Sequence, residues 1–151
     1  MKHLALVFYL IGTLGAMAQP EQPVPDPVAR WQANPVEPIP AAEISLEAFR
    51  WRARPLVVFA DSPFDPKFKQ QMKLLAERPE ALIERDVVII TDADPAARSP
   101  VRERLRPHGF GIVLLSKEGE VALRKPFPWG ARELTAAIDK MPLRQQEIEG
   151  G

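Results

Sequence analysis

The chain has 151 residues, enough for one domain with a modest core. Its 20 Lys and Arg balance its 20 Asp and Glu, which excludes a bulk electrostatic pull toward nucleic acid or an anionic membrane. It has 0 Cys, so thiol–disulfide exchange is excluded, because that reaction needs a thiolate nucleophile.

Residues 1–18 read as a secretory signal. Lys2 and His3 form a short positive start, residues 4–16 are apolar and uncharged, and Ala16-Met17-Ala18 fits the small-x-small cleavage rule. The apolar run is shorter than the roughly 20 residues that span a bilayer. The reading is therefore an exported protein, periplasmic or secreted, that keeps no stable membrane span after cleavage before Gln19. Residues 19–42 read as a Pro-rich linker. Pro20, Pro23, Pro25, Pro27, Pro35, Pro38 and Pro40 each remove a backbone donor and bias the preceding residue toward extended conformations. Extended or polyproline II structure is expected there, with little regular structure. Trp31 interrupts the tract, either as a partner anchor or folded back onto the domain.

Residues 43–149 form the domain. A short helical turn is expected over 43–51, with Ile44, Leu46, Phe49 and Trp51 supplying apolar contacts. Residues 55–60 are a continuous β-prone run suited to a central strand covered on both faces. Asp65-Pro66 is a helix cap followed by Pro at the first helical position. Phe68, Met72 and Leu75 then recur at helical spacing to about Glu77, and Pro79 restarts a short helix. A second buried strand is expected over 86–91. Ser99-Pro100 repeats the cap-plus-Pro signature and opens a helix to about Arg106. A third strand follows over 112–115. Lys117-Glu118-Gly119-Glu120 is a hairpin turn with Gly available for positive φ. The fourth strand, 121–125, carries charges that suit a sheet edge. Leu134, Ile138 and Met141 mark the inner face of a last helix, and Pro142 ends it or starts a new turn.

The order is a βαβ unit followed by ββα: an α/β fold with a four-stranded mixed sheet of order 2-1-3-4, flanked by helices. It resembles the thioredoxin fold. Phe110-Gly111-Ile112-Val113-Leu114-Leu115-Ser116-Lys117-Glu118-Gly119-Glu120-Val121 resembles the thioredoxin segment in which a cis-Pro opens a strand and leads to a hairpin, with Gly111 in the cis-Pro position. Val58-Phe59-Ala60-Asp61-Ser62-Pro63-Phe64-Asp65-Pro66 resembles the strand-to-helix redox loop, with Pro63 and Pro66 where cysteines would stand. A narrower resemblance covers residues 49–147, to domain of unknown function family 4174 of exported bacterial proteins. It rests on Trp51-Arg52-Ala53-Arg54-Pro55-Leu56-Val57-Val58-Phe59, on Glu84-Arg85-Asp86 and on Lys117-Glu118-Gly119-Glu120-Val121-Ala122-Leu123-Arg124. Its most specific stretch is Ile138-Asp139-Lys140-Met141-Pro142-Leu143-Arg144-Gln145-Gln146-Glu147. This resemblance implies a thioredoxin-like fold and brings no established activity.

Candidate functional residues are few. His108, the one His beyond the leader, falls near Asp61 and Asp65 if the thioredoxin layout holds, a placement that suits acid–base work. Asp61, Asp65, Asp92 and Asp94 lie in loops after the first two strands, where open α/β sheets hold ligands and where carboxylates can take a hard cation; the favoured reading is that Asp65 and Asp94 cap helices and the others sit in turns. Arg98, Arg102, Arg104, Arg106, Arg124 and Lys125 make a basic set suited to an anion or to a solvated face. Arg144 serves as a docking charge or pairs with Asp139 or Glu147. Pro126-Phe127-Pro128-Trp129 binds a partner or plugs a core edge.

The leading expectation is a non-redox module that binds a protein or peptide of the cell envelope through Asp61, Asp65, His108, Gly111 and Arg144, with no catalytic residue, metal, cofactor or nucleic acid. The alternatives are an enzyme using the loop carboxylates or His108, and a structural or stress-related envelope accessory protein.

Overall fold

The computed structural model of the chain describes Pro23 and residues 26–151. The expected signal segment, 1–18, lies outside the described residues. Strand β1 (Ile39–Pro40), β2 (Arg54–Phe59), β3 (Val87–Asp92), β4 (Gly111–Leu115) and β5 (Val121–Lys125) form one mixed sheet of order β1-β3-β2-β4-β5. β2 runs parallel to β3, with Leu56 beside Ile89, and antiparallel to β4, with Leu56 beside Leu114. The expected four-strand core is present in its expected order. The fifth strand, β1, adds to β3 in parallel through Ile39 and Pro40.

That addition corrects the reading of the Pro-rich tract as lacking regular structure. Helix α1 (Pro27–Ala33) opens at Asp26, whose carboxylate accepts from the Val28 N–H at 3.3 Å, with Pro27 in the first helical turn. A Pro there costs nothing, since its missing N–H has no helical partner. Trp31 is buried, and its indole N–H donates to the Val87 carbonyl at 3.2 Å. Ile39 is 1% exposed. Residues 26–40 are thus seated on the domain by an aromatic anchor and an edge strand.

The sheet divides two apolar layers. On one face Val57, Phe59, Val88, Ile90, Val113 and Leu115 meet α1, two 3-10 turns (Ala41–Glu43 and Leu46–Phe49) and α4 (Pro100–Leu105). On the other, Leu56, Val58, Ile89, Ile112 and Leu114 meet Leu75 of α2 (Pro66–Glu77), Leu82 of α3 (Pro79–Ile83) and Leu134 and Ile138 of α5 (Ala131–Ile138). Alternation across the pleat assigns each strand residue its face. Every residue of β2 is buried, the charged Arg54 at its start included, as the apolar run from Pro55 requires of a strand with helices on both sides. The 126–129 loop plugs this second layer: Gln71, fully buried, donates to the Trp129 carbonyl at 2.7 Å and accepts its N–H at 2.9 Å. Phe127 remains half exposed.

Pro142 starts a further helix, α6 (Pro142–Glu149), whose one buried residue is the charged Arg144. Trp51 departs from its expected apolar role. It is 62% exposed and sits at φ 66, while Phe49 and Leu46 fill the layer beside it. Among the described residues, no helix is long and apolar enough to cross a membrane.

Candidate functional site

Two ends of the sheet carry the polar chemistry. At the end where β2 and β3 finish, a cleft of about 630 Å³ opens between the 3-10 turn after β1, the Asp61-Ser62-Pro63 loop and the loop after β3. Asp61 is exposed on its wall. Asp65 caps α2, accepting the Lys67 N–H at 2.8 Å. Phe64, between them, is 76% exposed, and the Lys69 ammonium lies 5.7 Å from its ring centre. Asp92 is 5% exposed and fully committed. Ser99 Oγ donates to Oδ2 at 2.5 Å, and Arg102 donates to Oδ1 from Nε and Nη2 at 3.1 and 2.9 Å. Arg102 also donates to the Ala60 carbonyl at 3.0 Å and stacks 5.3 Å over the Phe59 ring. A carboxylate so neutralised is a brace between β2, β3 and α4, not a free ligand. Asp94 stands at a cap position and makes no side-chain cap bond. Among the described residues, no group of three or more His, Asp or Glu converges as a metal site.

His108 is exposed in the loop before β4. The loop does approach Asp61: a Cβ placed on Gly109 lies 4.0 Å from Asp61 Oδ2. Gly109 takes φ 62, a conformation Gly adopts at little cost. Gly111 begins β4 opposite Phe59, and a Cβ there meets the Lys125 carbonyl at 3.5 Å, ordinary contact. Among the described residues there is no cis peptide bond. A second, smaller cleft of about 190 Å³ lies here, floored by Phe59 and Val113 and rimmed by Arg106, His108 and Arg124. Asp61, Asp65, His108 and Gly111 are therefore brought to one end of the molecule.

Arg144 lies elsewhere. It joins a charge network where β2 and β3 begin. Arg54, 1% exposed at the start of β2, donates to Glu147 Oε1 at 3.1 Å and to the Arg85 carbonyl at 2.8 Å. Lys117, at the hairpin, bridges Asp86 at 2.7 Å and Glu147 at 2.6 Å. Arg85 grips Asp139 with two bonds of 2.8 and 2.9 Å. Arg144 spans Asp139 at 3.3 Å, Glu84 at 3.3 Å and Glu147 at 3.5 Å. The Arg85 hydrogen bonds hold the Asp139 carboxyl below the usual carboxylate range, against its partial burial. Burial works to raise the Glu147 carboxyl, and the bonds from Lys117 and Arg54 outweigh it and leave it lowered. Asp139 in turn raises the Arg85 guanidinium, so both partners stay charged. The Arg54 Nε is the one buried side-chain polar atom left without a partner among the described residues.

The residues that carried the family resemblance thus meet in space. Arg54, Glu84, Arg85, Asp86, Lys117, Asp139, Arg144 and Glu147 come from four separate stretches and form this one network. Arg54 was not legible as a site member, because its partner Glu147 lies 93 positions away. Arg144 was legible through its two nearer partners. Phe64 carried no signal beyond its place in the redox-like loop.

The comparisons bear on the fold. The family described as "Domain of unknown function (DUF4174)" matches residues 45–147. Among solved structures, the chain is similar to reduced desulfothioredoxin from Desulfovibrio vulgaris Hildenborough, at 22% identity over 68% of this chain and 97% of that one, with a TM-score of 0.50. It is also similar to reduced 2-Cys peroxiredoxin from Plasmodium vivax, at 14% identity over 70% of this chain and 85% of that one, with a TM-score of 0.51. These identities speak for the fold alone. No curated protein matches the sequence.

Proposed function

The chain belongs to the DUF4174 family, and for it we propose a non-redox role: an exported, thioredoxin-like module that binds an extended protein or peptide segment at the end of the sheet where β2 and β3 finish. One observation carries the reading. In a thioredoxin-like frame with 0 Cys, the loop in the redox position presents Phe64, 76% exposed, beside an open cleft of about 630 Å³. An aromatic ring left exposed next to a cleft is the residue type that anchors protein partners. The same loop has no thiol to react, so contact is the chemistry left to it.

Asp61, Asp65, His108 and Gly111 frame this surface, and Arg144 serves the opposite end as a structural charge. The leader-like residues 1–18 support export, and the cysteine-free composition suits any compartment.

Two measurements test the reading. A displayed library of unstructured twelve-residue peptides should yield saturable binders, and Phe64→Ser should weaken them about tenfold or more, the size of a modest hot spot. Binders indifferent to Phe64→Ser, or none at all, would contradict the role. For export, protein recovered from the envelope or medium of its host should begin at Gln19. Retention of the full chain in the cytosol would overturn that part.

A further inference from the structure

We propose that the smaller cleft is a carboxylate-reading subsite, which selects an extended peptide carrying Glu or Asp next to an apolar side chain. The inference rests on the peptide-binding reading above and supplies the chemistry of the partner.

The argument is one of unmatched charge. Arg54, Arg85, Arg102, Arg144 and Lys117 each meet carboxylates within the fold. The cleft rim is different. Arg106, His108 and Arg124 line it, no acidic residue does, and none of the three is paired with a carboxylate among the described residues. Arg124 directs one Nη1–H to the Leu105 carbonyl at 2.7 Å, which fixes its guanidinium across the last turn of α4. The carbonyls of a helix C-terminus account for a cation there. They account less well for Arg106, which follows at φ 49, a left-handed position where Gly or Asn is the ordinary choice. An Arg at that position carries backbone strain, and no carboxylate among the described residues compensates it.

The floor supplies the second requirement. Phe59 and Val113 lie beneath the rim, and Phe110 and Ile112 line the same cleft. A cavity of about 190 Å³ takes one carboxylate and one small apolar side chain, not a folded domain. Asp61 stands next door, across Gly109, on the wall of the larger cleft. Its charge repels an anion, so the acidic residue of a bound segment is confined to the Arg106 side. β5, which carries Arg124, is the outer strand of the sheet, so an extended segment has a strand edge to run beside.

The test uses the full chain and a fluorescein-labelled peptide of alternating glutamate and leucine, with glutamine-leucine and lysine-leucine counterparts. At low salt the glutamate peptide should bind about tenfold tighter than the glutamine peptide, and the lysine peptide more weakly than either. Arg106→Gln, which removes no internal hydrogen bond, should weaken the glutamate peptide about fivefold and leave the glutamine peptide unchanged. Raising salt to 0.5 M should shrink the difference. Equal binding of the glutamate and glutamine peptides would overturn the subsite and leave the peptide-binding role standing. Full competition by millimolar inorganic phosphate would replace it with a small-anion site. Failure of all three peptides would overturn the subsite, and a peptide library that also yields no binder would sink both readings. His108→Ala serves as a second variant, expected to weaken the glutamate peptide less than Arg106→Gln, with melting curves confirming that each variant folds.

Discussion

The two ends of the sheet differ in how their charges are spent. Where β2 and β3 begin, eight charged side chains, four cations and four carboxylates, from the start of β2, the α3–β3 junction, the β-hairpin, the end of α5 and α6 neutralise one another. Where the same strands finish, one carboxylate is braced by Arg102 and one caps a helix, while Asp61, His108 and Arg106 face water. The first end is closed by internal pairing and the second is left exposed to solvent. The difference separates two kinds of signature. The stretches that carry the family resemblance build the closure, and the loops that resemble the thioredoxin redox loop and cis-Pro segment build the open surface. A family resemblance that gathers in one network of charge pairs thus describes how a scaffold is locked, not what it touches.

Four substitutions and one condition sharpen that contrast. The largest effect is expected at Trp31→Ala. It empties a buried aromatic site and strands the Val87 carbonyl, at a cost of about 3–5 kcal/mol in chemical denaturation. A loss under about 1 kcal/mol would return residues 26–40 to the status of a tether. Next comes Glu147→Ala, which leaves the buried Arg54 without its carboxylate. Fully buried pairs lose about 3–5 kcal/mol, and because Glu147 is a quarter exposed about 2 kcal/mol is expected here.

Acid probes the same end without mutation. Asp139 and Glu147 both titrate lower in the fold than in the unfolded chain, so their stabilisation is complete at neutral pH. It is lost as pH falls through and below the usual carboxylate values, about 4. α6 holds to the domain mainly by charge, with Arg144 its one buried residue, so amide exchange in 142–149 should rise before exchange in β2 does. Simultaneous loss of both would show that α6 is no separate latch. The smallest effects belong to the open end. Asp61→Asn and His108→Ala should each stay within about 0.5 kcal/mol of the parent in stability, since neither side chain is buried or braced.

Much of this architecture was readable from local chemistry. The cap-plus-Pro pairs Asp65-Pro66 and Ser99-Pro100 marked two helix starts, and both carboxylate and hydroxyl accept the expected backbone N–H. Asp26-Pro27 carries the same signal, followed by Val28 and Trp31 at helical spacing. It was masked by the density of Pro around it, which argued for an unstructured tract. β1 has two residues, one of them Pro, and no periodicity can announce a strand that short. The site divided along similar lines. Asp65 as a cap and Arg144 with Asp139 and Glu147 follow from near neighbours in sequence. Asp92 with Arg102, Arg54 with Glu147, and the gathering of Arg106, His108 and Arg124 depend on tertiary folding. Trp51 shows the reverse hazard: an aromatic beside a core segment reads as core, yet a left-handed turn carries it into solvent.

The most direct measurement of the central claim is amide chemical-shift mapping of the isotope-labelled full chain titrated with the glutamate-leucine peptide. The account predicts saturable shifts in the 61–65 loop and in 106–113, with α6 and the Arg54–Glu147 network unmoved. Shifts centred on α6 or Trp51, with the 61–65 and 106–113 segments silent, would contradict it.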